Sequence, residues 1–524
     1  MVPALRRDGA GASVGGVAAM PTRLAALLSA FLFAFTLVRA QPAPTPLPPL
    51  PAAELAKQID ALVQAPRFRG ATWGMQVESL DSGRVLYVHE PDLRQSPASN
   101  SKLYVGALAL ARLGGDFRIV TPLRATGPIG ADGVLAGDLV IVGRGDPSWH
   151  KRWQPQPWAA AFAPFLAELR RAGVTRIRGD VVADGTWLRS PPHGAGWTAD
   201  DLNDYYGAEQ SGVTFGDNYV ELRVTPAAAA GAPCTVELLE PDTELQLDNR
   251  TETLAAGAKA TLQVQRLPGS SVVTLFGGLP VDAAKPEVTE ATVPRPAGWF
   301  ARALVRELRA AGIAVDGGAR SVIWPEAPVV AEVKVGEIVS PPLRDLVTAM
   351  MKPSQNLETN LLFAQVGEAL RKAETPAWRR SEDLAVDALK EFLAEVGVGP
   401  DDVIFEDGSG LSRNNLITAA ATVKLLRFMA GHPEGAAFYA SLPVAGRDGT
   451  LRRRMIGTPA EANVHAKTGS LRWAATLSGH VTGAAGERLI FSLLLNRHVG
   501  TAERPARAEL DEIAVLLSRY ADPK

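Results

Sequence analysis

In AAELAKQIDALVQ (residues 52–64) apolar side chains recur at three- and four-residue intervals, which predicts a helix with one buried face. The rhythm then changes. TWGMQVESL and RVLYVHE read as the two strands of a β-hairpin around Asp81-Ser82-Gly83. Next, SPASNSKLYVGALALARL (96–113) places Ser99 and Lys102 just ahead of a nearly continuous apolar run, the pattern of a buried helix. From about 116 to 335 short strand-like runs broken by Gly and Pro dominate, such as GDLVIVGRGDP and GDVVADGTWL. Within them, 218–284 is nearly all strand-like, whereas GWFARALVRELRAAGI (298–313) predicts an amphipathic helix ending near Gly317-Gly318. Helical spacing returns after about 340 in LRDLVTAMMKPSQNLETNLLFAQVGEAL, SEDLAVDALKEFLAEVG and TAAATVKLLRFMA. Finally, VHAKTGSLRWAATLSGHVTG and ERLIFSLLLNRH read as two long strands joined at Ala484-Ala485-Gly486, followed by a helix in ERPARAELDEIAVLLSRYA. These last strands share the character of the first hairpin. The expected fold is therefore α/β (α+β): an antiparallel sheet built from both ends of the chain, helices against it, and a large β-rich insertion.

These textures divide the chain into 1–40, a signal peptide; 41–51, a Pro-rich linker; 52–115 with 336–524, one domain; 116–217 with 285–335, an inserted domain; and 218–284, a second, smaller β-rich insert. At 524 residues and 46% hydrophobic composition the chain can bury several cores. Its 54 basic and 56 acidic residues nearly cancel, so no global field draws in nucleic acid or an anionic membrane. The single cysteine, Cys234, allows neither an internal disulfide nor a thiolate cluster and reads as a packed residue. The histidines show no close ligand spacing, so neither a metal nor a cofactor is expected.

The N-terminus speaks to location. LAALLSAFLFAFTLV (24–38) is shorter than a spanning helix needs, and Val38-Arg39-Ala40 before Gln41 resembles a cleavage site. Met20 would give a more typical signal peptide than Met1. With no cysteine after the apolar run, a lipid anchor is not expected. The reading is an exported, periplasmic protein without a stable membrane anchor, with loose association with membrane or cell wall left open, as is the oligomeric state.

Serine is a weak nucleophile until a base takes its proton, and a lysine three positions on shares its helix face. Ser99 and Lys102 meet that requirement if burial or a second cation keeps Lys102 neutral. Ser-x-x-Lys alone is weak evidence: Ser148 and Lys151 repeat it beside a Gly-rich turn, with no apolar helix behind them. Two further elements add weight. Ser354-Gln355-Asn356 lies between helical runs, and Lys467-Thr468-Gly469 lies on a strand next to Ser470. Ser-x-x-Lys, Ser-x-Asn and Lys-Thr-Gly in that order form the signature of penicillin-binding proteins and class A β-lactamases. Ser412-Arg413-Asn414 is a second Ser-x-Asn match, whereas Lys-Thr-Gly occurs once.

With GDLVIVGRGDPSW, GDVVADGTW, DDLNDYYGAEQSGV, EDGSGLSRNNLITA and LPVAGRDGTLRRRM, the chain from about 55 to 520 resembles D-alanyl-D-alanine carboxypeptidase/endopeptidases of the penicillin-binding protein 4 type. The resemblance implies a penicillin-binding/β-lactamase-like transpeptidase domain with a large insertion between its first two motifs. It implies Ser99 as the acylated nucleophile, Lys102 as its base, Ser354 as proton relay to the leaving D-alanine, and Asn356 as holder of Lys102 and the substrate amide. Lys467 would lower the pKa of Lys102 and, with Thr468, bind the terminal carboxylate. Gly469 would let a peptide lie along the strand, and the N–H groups of Ser99 and Ser470 would form the oxyanion hole. Peptide side-chain contacts fall near Asp201, Tyr206, Arg413 and Arg472, the last in place of a glutamine and suited to a carboxylate. Peptidoglycan stem peptides are the implied substrates and β-lactams the covalent inhibitors.

The alternatives are a β-lactamase or D-stereospecific esterase on the same scaffold, or a non-catalytic muropeptide- or β-lactam-binding protein. Between Asn356 and Lys467 no glutamate is followed four positions later by asparagine, the pattern associated with fast deacylation in class A enzymes. Outside the segment read as a signal peptide, where residues 11–15 fit by chance, no Gly-x-Ser-x-Gly occurs, which removes support for an α/β-hydrolase. Arg144-Gly145-Asp146 reads as part of a turn, Arg452-Arg453-Arg454 as a solvated basic face, and the Trp and Tyr residues as core rather than a sugar-stacking platform.

Overall fold

In the computed structural model, which describes residues 48–150, 153 and 158–522, strand Thr72–Ser79 pairs antiparallel with both Val85–His89 and Arg488–Asn496. The expected signal peptide, most of the linker and Lys151 lie outside the described residues. The sheet runs in the order His465–Leu471, Ala474–Thr482, Arg488–Asn496, Thr72–Ser79, Val85–His89, so the two ends of the chain do build one sheet. Its first strand lies at an edge, bridged to Val444 at His465 and open beyond Ala466.

Alternation sorts the side chains of Arg488–Asn496 between two cores. Ile490 and Leu494 join a cluster with Leu103, Val347, Phe363, Phe392 and Leu425 from the helices Ser101–Leu113, Leu343–Met351, Asn356–Ala369, Ser381–Val396 and Ala419–Gly431. Leu489, Phe491, Leu493 and Leu495 face Leu55, Ile59, Ile513 and Leu517 of the helices Ala52–Val63 and Ala506–Ser518. Helices cover both faces, and this strand is apolar at almost every position for that reason.

The run VHAKTGSLRWAATLSGHVTG is two strands, not one. Leu471 pairs with Ala474 across a two-residue turn at Arg472-Trp473, with Trp473 in the left-handed region at φ 63°. A turn without Gly or Asn leaves no signal in the sequence. The helix Pro296–Ala310 also stops before Gly317-Gly318: Gly312 takes φ 85° and Ile313 donates back to Leu308, a capping geometry.

In the inserted segment a five-stranded sheet is ordered Ala319–Val322, Val181–Asp184, Leu139–Val142, Val120–Ala125, Val333–Val339. Tyr219–Thr225 pairs with both Thr235–Leu238 and Glu287–Thr292, and Val272–Pro280 with both Gln246–Leu254 and Gln263–Arg266. One hydrophobic cluster runs from Leu123 and Ile141 through Phe300 to Val224 and Val273 and takes in Cys234. Trp149 and Trp299 are core residues, whereas Trp378 and Trp473 are exposed. The same segment is tied to the helix Ser381–Val396 where Ser381 donates its N–H to Arg189 O and its hydroxyl accepts from Arg189 N–H.

Candidate active site

Pro97 and Ala98 end an extended segment, and Ala98, at φ 46°, turns the chain into the short helical turn Ala98–Asn100 that leads into Ser101–Leu113. Ser99 thus stands at the mouth of the buried helix. Two glycines hold this corner. A Cβ on Gly410, itself at φ 83°, would lie 1.9 Å from Ala98 O, and one on Gly469 would lie 2.7 Å from Pro97 O and 3.0 Å from Ser99 N. Each contact requires glycine.

Lys102, one turn on, is fully buried. Its Nζ lies 2.7 Å from both Asn356 Oδ1 and Ser409 O, and 3.0 Å from Ser99 Oγ. A neutral amine has two hydrogens and one lone pair; with Asn356 and Ser409 taking the hydrogens, the lone pair faces Ser99. Burial pushes the ammonium pKa down to about 7, against a raising pull from Asp407. Lys467, also fully buried, donates to Ser354 Oγ and Thr468 O, each at 2.8 Å. Burial first, and then repulsion from Lys102, holds it well below the ordinary lysine value. The pair therefore carries fewer than two protons near neutrality. Desolvation is the leading cause at both lysines, and the repulsion between them opposes a second proton on the pair.

Ser354 adopts φ 69°, a left-handed backbone that turns its hydroxyl toward Lys467 just before the helix Asn356–Ala369. Asn356 Nδ2 donates to Tyr206 O at 3.0 Å, bringing the insertion to the site. Ala466 donates its N–H across the outer edge of its strand to Pro443 O. Alternation turns the N–H groups of Thr468 and Ser470 to that same open edge.

Ser99, Ser354, Asn356, Thr468 and Ser470 line a cleft of about 740 Å³, whose rim carries Asp201, Tyr206, Arg413 and Arg472. Lys102 and Lys467 sit beneath it and Gly469 beside Ser99, so all twelve expected residues converge. Asp201 and Arg413 are already paired, at 2.7 and 3.0 Å. Tyr206 donates to Asp204, and burial with that carboxylate raises its phenol above the ordinary range. The Arg472 guanidinium packs on the Trp473 ring, 5.7 Å from its centroid.

Several contributors are not among the residues that the motifs single out. Asp407 organises the loop that supplies Ser409 O: it accepts from Gly410 N, Ser409 Oγ, Asn415 Nδ2 and Trp197 Nε1. Thr450 accepts from Thr468 Oγ1 at 2.8 Å. Tyr205 and Trp473 complete the cleft wall, so part of the aromatic set faces the groove and not the core. In contrast, Ser412 is buried and serves Asn414 N, away from either lysine.

The sequence profile of the D-Ala-D-Ala carboxypeptidase 3 (S13) family matches residues 55–518. The chain belongs to this family. As an S13 peptidase it is 35% identical over 514 residues to a D-alanyl-D-alanine carboxypeptidase of Actinomadura sp., covering 95% of this chain and 91% of that one. The crystal structure of penicillin-binding protein 4 from Haemophilus influenzae superposes with a TM-score of 0.74 at 26% identity, over 87% of this chain and 97% of the other. The same protein complexed with a β-lactam matches with a TM-score of 0.69 at 25% identity, over 87% and 98%. The α/β architecture is thus that of the penicillin-binding proteins, and the S13 chain is a serine-type D-Ala-D-Ala carboxypeptidase. Among its described residues no helix is long and apolar enough to cross a membrane.

Proposed function

We propose that the protein removes the terminal D-alanine of peptidoglycan stem peptides through an acyl-enzyme on Ser99, and that it also cleaves D-Ala to diamino-acid cross-links. The observation that carries this reading is the Lys102 Nζ, 3.0 Å from Ser99 Oγ and held by Asn356 Oδ1 and Ser409 O, which in the neutral amine would take its two hydrogens. In the proposed cycle neutral Lys102 takes the Ser99 proton as Oγ adds to the carbonyl of the penultimate D-Ala. The N–H groups of Ser99 and Ser470 receive the oxyanion, which develops only in the transition state. Ser354, backed by Lys467, gives a proton to the departing amine, and the proton gained by Lys102 restores the count on the lysine pair. Water then attacks the ester with Lys102 again as base.

Thr468 and Lys467 are assigned to the terminal carboxylate, and Gly469 to close passage of the peptide along the open part of the strand edge. Asp201, Tyr206, Arg413 and Arg472 are assigned to the diamino-acid side chain. The domain division 52–115 with 336–524, 116–217 with 285–335, and 218–284, the export signal at 1–40 and a periplasmic location belong to the same proposal. Penicillin would form a long-lived ester on Ser99, since no glutamate stands where fast deacylation needs one. The test is intact-mass measurement of the mature chain with benzylpenicillin and with a peptide ending in D-Ala-D-Ala, beside Ser99→Ala. A stable penicilloyl adduct and released D-alanine, both absent in the variant, are expected; a folded wild type giving neither would refute the reading.

A further inference from the structure

A second groove of about 360 Å³ adjoins the cleft and shares Thr450, Thr468 and Ser470 with it. Its outer wall is arginine: Arg452, Arg453 and Arg507, all exposed. No acidic residue lines it. Among the described residues, Arg453 and Arg507 place their guanidinium groups in no ion pair, and Arg452 makes one long hydrogen bond, 3.3 Å, to Gly449 O. Arg454, by contrast, is taken up by Asp511, which leaves it structural. The two ends of the combined groove therefore differ. Toward Tyr206 its charge is an acid–base pair, Asp201 with Arg413; beyond Thr468 it is purely cationic.

Thr468 is the residue assigned to the carboxylate beside the leaving amine, so whatever extends from the leaving group runs toward the three arginines. On that assignment a lone D-alanine would end at Thr468, short of the arginines. We propose that this groove binds the carboxylate-bearing second stem peptide of a cross-link, making Arg452, Arg453 and Arg507 the determinants of endopeptidase cleavage. The inference rests on the peptidase reading above. The chemistry is unchanged: the amide between the D-Ala carbonyl and the second stem's side-chain amine breaks, water supplies hydroxyl to the acyl carbon, and the amine leaves with a proton. Guanidinium groups suit the task because each offers a planar pair of donors to a carboxylate. Their exposure keeps each contact weak and salt-sensitive, so the effect lies in the sum.

The experiment compares the mature wild type with the triple variant Arg452→Gln, Arg453→Gln, Arg507→Gln on three substrates. These are a cross-linked dimer of acidic stem peptides, the same dimer with its free carboxylates amidated, and a monomeric peptide ending in D-Ala-D-Ala. The triple variant should lose about tenfold in kcat/KM on the acidic dimer. Wild type should disfavour the amidated dimer to a similar degree. D-Alanine release from the monomer and penicilloyl formation should stay within about twofold. Dimer cleavage that ignores both the arginines and the carboxylates would overturn the groove alone. So would equal losses on dimer and monomer. Reduced co-sedimentation of the variant with anionic wall polymer, with dimer cleavage intact, would reassign the arginines to that polymer. A folded wild type that neither releases D-alanine nor forms the adduct would overturn the peptidase reading and the groove with it.

Discussion

Asp201 grips Arg413 through both carboxylate oxygens, at 2.7 and 3.0 Å, although 212 positions separate them in the chain. The pair lies in the wall of the cleft and ties the segment around Asp201 to the loop after Asp407, where the proposed peptide side chain would pass. Asp201→Asn removes the charge and leaves the guanidinium unmatched. Peptide kcat/KM should fall about tenfold, while acylation by benzylpenicillin, which carries no diamino-acid side chain, should change less than about threefold. Steady-state kinetics beside a fluorescent-penicillin labelling rate separate the two; equal losses would make the pair a structural strut.

The Lys102 environment sets a pH dependence. Below about 7 the ammonium keeps its proton and has no lone pair for Ser99; above it the amine is neutral and the base is ready. The second-order rate of penicilloyl formation should therefore rise about tenfold per pH unit below 7 and level off above it. A rate already flat from pH 5 would contradict burial as the source of the neutral lysine.

Gly410 bears on stability and activity together. An alanine there must hold φ near 83° and place its Cβ against Ala98 O and Ser101 Oγ. Gly410→Ala should cost about 2 kcal/mol or more in stability, and in the protein that still folds Ser99 should label poorly with penicillin. Thermal unfolding with a labelling assay checks both.

Glu382, in the first turn of Ser381–Val396, is buried against Ser190, whose hydroxyl donates to it, and burial pushes its pKa up to about 7 from 4.5. The folded state prefers the protonated acid. Its contribution is therefore full below about 4.5 and lost as the pH rises through about 7. Glu382→Gln should flatten the fall in Tm between pH 5 and 8 relative to wild type, measured by calorimetry.

What could be read in the sequence was what is local or fixed by chemistry. The apolar run after Lys102 marked the buried helix, and the spacings of Ser99 with Lys102, Ser354 with Asn356 and Lys467 with Gly469 marked the reactive groups before any contact was visible. What could not be read is set across the fold. Ser409 O meets Lys102 over 307 positions, so nothing near either residue announces the contact. Asp407 acts through hydrogen bonds to four other residues, and only the folded loop reveals it. The Arg472-Trp473 turn escaped because a left-handed tryptophan is no turn signal. That both lysines are desolvated also could not be read, since burial is a property of the assembled core.

The pairing of Thr72–Ser79 with Arg488–Asn496 spans 424 positions, and the strand carrying Lys467 joins the sheet only through Ala474–Thr482 and Arg488–Asn496. A nascent chain that has made its nucleophile near residue 99 has only the hairpin Thr72–Ser79 with Val85–His89, and lacks the three strands that complete the sheet until residue 496 has been synthesised. Chains stalled or clipped before about residue 490 thus carry the serine without a reactive centre, a built-in delay that keeps unfinished copies chemically silent.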